Sequence, residues 1–488
     1  MKNSELEKFL FFESKECFDY KIDNVLVWKY LREDVYDQYM HKVYNTADRV
    51  TGFSKFKFGL FFLKELYKIF DDNDRVSPKD IVFLTFPRKT LINGQYCCTQ
   101  LEPLINQVKD RCWILENPFW LEDKSYRVSH FSEKQKNMTY TDNIEILHRL
   151  RMPFLILFKR RKFRKKYYEK LASFCHDINR NLGIDINVDD IFQKVFWYVC
   201  FEKYAFMFYQ KILKRLDPKC IVEVYTPNHQ IALLNTVAHE LKIPIIDVQH
   251  GAIGEYEPIM YSYYQKRPYA HLSNYIFVFG EYWRTKKNFH VFDEQIMPVG
   301  VPFLEEYAKN CLKCNKEKNT IVLISQARYS SLFYNLAAAL QGNSEISSKN
   351  KILLKLHPYE YSLYKQGYYK NLEKQGVWVC AGLEKHLYSY FESAFCVIGI
   401  NSTALYEALA FGIPIYIHNY KYGIENLVAL SKTIPLIHIF DNEEKLIDEI
   451  MVSDNNSVER KNINYLFAEG SMQKTLEALG RICDVKIP

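Results

Sequence analysis

Residues 396–417 read Cys-Val-Ile-Gly-Ile-Asn-Ser-Thr-Ala-Leu-Tyr-Glu-Ala-Leu-Ala-Phe-Gly-Ile-Pro-Ile-Tyr-Ile, and no other stretch restricts the fold as tightly. The β-branched apolar run 396–400 predicts a buried strand, in which Gly399 lets a neighbour approach the backbone closely. Asn401, Ser402 and Thr403 are helix-capping residues, Gly412 is a natural stop, and Pro414 blocks continuation, so a helix is expected from there to about Phe411. A helix that opens at the carboxyl end of a buried parallel strand aims free N–H groups and its dipole at whatever lies there. The Ser402 and Thr403 hydroxyls add donors, which suits an anion such as phosphate. Glu407 lies about one turn further on, where a carboxylate can hold the two hydroxyls of a ribose. Taken alone, an ordinary βαβ crossover with a Ser/Thr cap explains these residues equally well.

The same alternation recurs along the chain. Strands are expected at 81–86 and 112–115, with a helix near 101–108 between them. Further strands are expected at 221–225, 244–248 and 275–279, with a helix capped by Thr226-Pro227 after the first of these. Pro298-Val-Gly-Val-Pro302 reads as a crossover into a second series, with strands at 320–325, 351–356, 377–380, 396–400 and 436–440 and a closing helix at 443–451. This order predicts two α/β domains with parallel sheets. The boundaries drawn are 1–75, mainly helical; 76–310, Rossmann-like, with a helical and basic insertion around 120–215; and 311–488, a second Rossmann-like domain.

Length and charge narrow the class. A chain of 488 residues with 48% apolar content can bury large cores, and a net charge of +7 is mild for that length, so no nucleic-acid partner is expected. The N-terminus is charged and lacks an apolar signal core, and no apolar run approaches a membrane span. A cytoplasmic protein, peripheral at most on the inner face of the membrane, is the expectation. The 12 cysteines are scattered, several inside apolar strands, which predicts reduced buried thiols. Only Cys311-Leu-Lys-Cys314 has metal-ligand spacing, and no second pair follows it, so no metal is expected. Residues 152–170 set an apolar cluster directly before a dense basic run; 159–170 is either a solvated helix face or a surface for anionic lipid head groups.

Three motifs fall just past the carboxyl ends of predicted strands, the edge where open α/β sheets bind ligands. They are Gln249-His250-Gly251, His357-Pro358 and Asn401-Ser402-Thr403. A histidine before Gly251 sits in a tight turn and can accept a proton near neutral pH. His357 is held by Pro358, which disfavours helix, and can donate to a phosphate or sugar oxygen. Each histidine also has a structural explanation, as does His229 in the first turn of its helix, a weaker candidate.

The succession Tyr225-Thr-Pro-Asn-His229, Ile246-Asp-Val-Gln-His-Gly251, Phe279-Gly-Glu281, Pro298-Val-Gly300, Leu354-Lys-Leu-His-Pro358 and Asn401-Ser-Thr…Glu407…Gly412-Ile-Pro414 resembles the bacterial GT-B transferases of surface and capsular polysaccharide assembly. It is also similar to the CDP-glycerol polyol-phosphate transferases of teichoic acid synthesis. The resemblance covers about 220–450, and more weakly 81–118, where Phe86-Pro-Arg88 and Tyr96 match a first strand and loop. It implies two Rossmann-like domains facing across a cleft. It also implies that His250 is the catalytic base, that His357 and Ser402-Thr403, with Asn401, contact the donor phosphates, and that Glu407 contacts donor ribose. Gln249, Gly251, Pro358, Gly399 and His229 are expected in support. No acidic pair here is followed by Gly, unlike the polysialyltransferase-like enzymes, and Asn401-Ser402-Thr403 lacks the Asp usual in the polyol-phosphate transferases.

The expected function is therefore transfer of a sugar from a nucleotide-activated donor to a glycan or lipid-linked glycan acceptor, with no cofactor and no obligatory metal. The alternatives are CDP-polyol phosphotransfer, a sugar-nucleotide epimerase without an acceptor, and a non-enzymatic membrane-surface scaffold.

Overall fold

The computed structural model describes residues 2–44, 76–86, 89–92, 95–117, 119–120, 126–127, 137–224, 228–253, 258–285, 288–313, 316–382, 385–420, 423–452 and 460–484. Residues 45–75 of the segment expected to be mainly helical, and the expected cap Thr226-Pro227, lie outside them. The helix after residue 227 runs His229–Glu240, and its cap is Asn228, whose side chain accepts from Gln230 N at 2.7 Å.

Two parallel sheets organise the chain. The first contains β1 (Ile81–Leu84), β2 (Cys112–Glu116), β3 (Met138–Tyr140), β4 (Cys220–Glu223), β5 (Ile245–Val248), β6 (Tyr275–Val278) and β7 (Ile296–Pro298). Their order is β7-β6-β5-β4-β1-β2-β3, every pair parallel. The second contains β8 (Thr320–Ile324), β9 (Lys351–Lys355), β10 (Trp378–Cys380), β11 (Ala394–Gly399), β12 (Ile415–His418) and β13 (Ile437–Phe440). Here the order is β10-β9-β8-β11-β12-β13, again wholly parallel. Both orders place the chain-reversal point next to the first strand of the sheet, between β1 and β4 and between β8 and β11, as in doubly wound nucleotide-binding folds. The strands are continuous apolar runs because helices cover both faces; β1, β2, β4 and β5 are buried at every position.

The insertion is largely a helical hairpin. Helix Asp142–Leu182 packs antiparallel to Val188–Leu216, with Arg164 beside Phe192 at one end and Arg151 over Tyr204 at the other. The N-terminal helices Lys2–Glu16 and Trp28–Tyr44 share one aromatic core with this hairpin, centred on Phe9, Trp28, Phe174 and Phe192.

Two expectations are revised. The chain does not close on the helix after β13. It continues through Arg460–Leu466 and then Ser471–Cys483, which leaves the second lobe and packs on the first sheet through Ala478, Leu479 and Cys483. The thiols are not all reduced either: Cys220, at the start of β4, is bonded to Cys483. Their pairing follows from that return of the last helix, across 263 residues of sequence.

Candidate active site

The opening motif folds as its residues dictate. Helix Thr403–Ala410 follows β11, Ser402 is its N-cap and accepts from Ala404 N at 3.3 Å, and Gly412 takes a φ of +69° at the far end. Gly399 leaves room for the helix that folds back over the strand end, where a Cβ would meet Leu405 Cδ2 at 2.9 Å and force that side chain to shift.

The turn after β5 comes from the other lobe and meets this helix. Ala252 N donates to Thr403 Oγ1 at 2.9 Å, and a Cβ on Gly251 would lie 2.9 Å from the same oxygen. Glycine is therefore the residue that lets the two lobes touch. Thr403, expected to contact phosphate, joins the lobes through its hydroxyl oxygen, and the hydroxyl proton is still able to donate. Gln249, fully buried, braces the turn. Its Nε2 donates to Gly251 O at 2.7 Å and its Oε1 accepts from Phe279 N at 2.8 Å, tying the loop to the end of β6. His250 is half-buried, its ring 5.4 Å from Phe86 beyond β1 and 6.4 Å from Tyr261.

Across the switch point of the second sheet, Gln326 beyond β8 donates through Nε2 to Asn401 Oδ1 at 2.7 Å. Two strands from β11, His357 caps a short turn, Pro358–Glu360, with Pro358 at its first position. His357 Nδ1 accepts from Tyr359 N at 3.2 Å, which places the proton of a neutral ring on Nε2. All three motifs thus lie at the carboxyl edges, and the His-Gly and Ser-Thr elements are in direct contact.

Glu407 is half-buried on the helix and accepts a hydrogen bond from Tyr388. Burial pushes its carboxyl up to about 7, and that hydrogen bond only partly opposes the shift. His229 sits apart from the contact between the lobes. Its ring lies against Trp197, Tyr198 and Phe201, and burial lowers its pKa while the nearby Glu145 carboxylate opposes the change. It lines a cavity of about 170 Å³ with Lys29, Asn228, Met260 and His271. The turn Pro258–Tyr261 links the two places, since Met260 faces the cavity and Tyr261 faces His250. The N-terminal segment steadies this turn: Arg32, paired with Glu13, donates to Ile259 O at 2.6 Å and Ser262 O at 2.7 Å.

Sequence reasoning missed the residues that hold the site. Glu360 is fully buried and accepts from His357 N at 2.9 Å, Ser325 Oγ at 2.8 Å and Tyr369 OH at 2.7 Å. It joins the His-Pro turn to the end of β8, and its position three residues after a capping residue was a readable signal. Glu223 and Asp247, opposite each other on β4 and β5, are also buried. Burial first, and the neighbouring Asp247 second, raise the Glu223 carboxyl well above the usual range, and its Oε1 accepts from Asn235 Nδ2 at 2.8 Å. Among the described residues, no group of three or more His, Cys, Asp or Glu side chains is placed to hold a metal ion.

Two Rossmann-ordered lobes whose carboxyl edges meet define the GT-B class of fold. No protein-family model matches the chain, and no curated protein sequence matches it. Solved structures do. The UDP-GlcNAc 2-epimerase from Methanocaldococcus jannaschii is similar at 13% identity over 82% of this chain and 99% of that one, with a TM-score of 0.46. The UDP-N-acetylglucosamine 2-epimerase from Rickettsia bellii is similar at 12% identity, over 84% and 97%, with a TM-score of 0.46. The wall teichoic acid polymerase TagF is similar at 13% identity, over 89% and 98%, with a TM-score of 0.44. Identities this low concern chain architecture and not chemistry.

Proposed function

We propose that this chain is a glycosyltransferase that moves a sugar from a nucleotide-activated donor to a surface-glycan acceptor. The observation that carries the reading is the contact of the Gln249-His250-Gly251 turn of one lobe with the Ser402-capped helix of the other. It sets a candidate base beside a candidate anion site, each at the edge where such sheets bind ligands. In this reading His250 takes the proton of an acceptor hydroxyl as its oxygen attacks the anomeric carbon. The bond from that carbon to the donor phosphate breaks, and the nucleotide leaves with the electron pair. The helix N–H groups, Ser402, Thr403 and the Nε2–H of His357 stabilise charge gathering on the departing phosphate, while Asn401 orders the loop through Gln326. Glu407 holds ribose. This chemistry requires no metal, because helix-terminal donors supply the counter-charge.

The reading is tested by separating turnover from binding. His250→Ala should abolish sugar transfer, a loss of about a thousandfold or more, while nucleotide affinity stays near wild type. The double variant Ser402→Ala/Thr403→Ala should weaken nucleotide binding in calorimetry by about tenfold or more. Equal loss of both properties in His250→Ala, or unchanged affinity in the double variant, rules out these roles. The same assay with CDP-glycerol as donor distinguishes polyol-phosphate transfer. Conversion of a nucleotide sugar without any acceptor would show an epimerase.

A further inference from the structure

Helix Asp142–Leu182 is buried on one side, at Phe163, Leu171, Phe174, Cys175 and Ile178. Another side is not covered. Phe154, Leu157 and Phe158 are 67%, 72% and 74% exposed, with Leu150 and Ile156 also facing out. Met207, on the antiparallel partner helix, is 65% exposed and lies one turn beyond Tyr204, which stacks under Arg151. Single exposed apolar side chains are ordinary, but a cluster of this size marks a contact surface.

Directly after the cluster come Lys159, Arg160, Arg161, Lys162, Arg164, Lys165 and Lys166, and no Asp or Glu occurs between Glu145 and Glu169. Arg164 is drawn to Asp189 at 3.0 Å, and Lys166 lies over Tyr167, but the other five cations are open to solvent or nearly so. The positions Phe154, Phe158, Arg161 and Lys165 are spaced by four, three and four residues. They share one helix face over about 16 Å of axis. A partner-protein groove calls for an apolar stripe along the whole face, and a nucleic acid matches the cations but leaves the phenylalanines in water. An apolar step followed by a row of cations matches a lipid interface, with rings at the acyl boundary and cations at the phosphates.

We propose that the face formed by Phe154, Leu157 and Phe158 with Arg161, Lys162 and Lys165 docks this chain on an anionic lipid bilayer. Neither the apolar nor the basic part depends on which reaction the cleft performs. The helix begins at the carboxyl edge of the first sheet, where Glu145 accepts from Gln230 at 3.2 Å, and Phe158 lies about 20 Å further along it. A docked chain therefore holds the carboxyl edge of its first sheet within about 20 Å of the head groups, where, on the function proposed above, a lipid-linked acceptor is presented.

The test uses the full chain and sedimentation with vesicles of phosphatidylglycerol or of phosphatidylcholine. Wild type should sediment with phosphatidylglycerol at low salt, release at high salt, and stay in solution with phosphatidylcholine. Phe154→Ser/Leu157→Ser/Phe158→Ser and, separately, Arg161→Glu/Lys165→Glu should each lower the partition coefficient by about tenfold or more, with circular dichroism and unfolding midpoint unchanged. If either variant misfolds, quenching of a fluorophore at Ile156→Cys by brominated lipid reads insertion directly. No sedimentation at low salt, equal sedimentation with phosphatidylcholine, binding that survives both variants, or self-association that the triple variant removes would overturn the proposal.

Discussion

Protonation of Glu407 bears directly on the ribose contact proposed for it. Its carboxyl titrates near 7 in the folded chain against 4.5 for the ordinary group, so folding favours its neutral form. The stability this contributes is present below about 4.5 and declines as pH rises through about 7. Glu407→Gln should flatten that decline in unfolding midpoints measured between the two values. If the carboxylate accepts two ribose hydroxyls, nucleotide affinity in wild type should rise over the same interval, and the variant should lose that rise. An affinity that does not change with pH would exclude Glu407 from the nucleotide site. The sequence displayed Glu407, His357 and Ser402 because each stands at a fixed offset from a strand end or cap. Gln249 was expected in support, but not the bonds by which it joins two loops, and Glu360, which joins a turn to a neighbouring strand, was not among the expected residues. Such roles depend on which strands become neighbours.

Most strands were readable as elements because runs such as Ile-Val-Leu-Ile and Ile-Leu-Leu are apolar through and through, and only a sheet covered on both faces buries them all. β3 was not, since its three residues sit in a stretch without a clear pattern. The last helix was hidden for a different reason: its amphipathic spacing marks a helix but not which lobe it serves. Its attachment is set by Glu305 in helix Pro302–Leu312, which accepts from Ser471 N at 2.7 Å and Gly470 N at 3.0 Å. Burial alone would raise the Glu305 carboxyl, but hydrogen bonds from Lys309, Ser471 and Gly470 outweigh it and hold it at about 2. That stability is present above 4.5 and lost as pH falls toward 2. Glu305→Gln should cost about 1–2 kcal/mol at neutral pH and remove part of the acid-induced loss seen in denaturant titrations. The glycines of the Phe279-Gly-Glu281 and Pro298-Val-Gly300 motifs gain their meaning here as well. A Cβ on Gly280 would meet Leu466 O at 2.5 Å, and one on Gly300, whose φ is +87°, would meet Ala468 O at 2.3 Å. They make room for the returning chain.

At the scale of the whole molecule, the bond between Cys220 and Cys483 fastens that returning helix to the first sheet. Cys483→Ser should lower unfolding stability by about 2–4 kcal/mol. Adding reductant to wild type should reproduce that loss and should add nothing further to the variant. A variant insensitive to the substitution would show that packing of Leu479 and Ala478 holds the helix unaided. The overall plan of two nucleotide-fold lobes was legible, since it follows from the order of strands and helices. The lobe each terminus joins was not, because the N-terminal helices and the last helix are placed by tertiary contacts with distant parts of the chain.

Among the described residues the polypeptide passes between the lobes through residues 299–301 and through residues 467–470, and these passages lie side by side, since a Cβ on Gly300 would meet Ala468 O. A door hung on two adjacent pins can swing but cannot slide or twist. Any swing of one lobe against the other would turn about the line joining those crossings, and it would break the hydrogen bond from Ala252 N to Thr403 Oγ1.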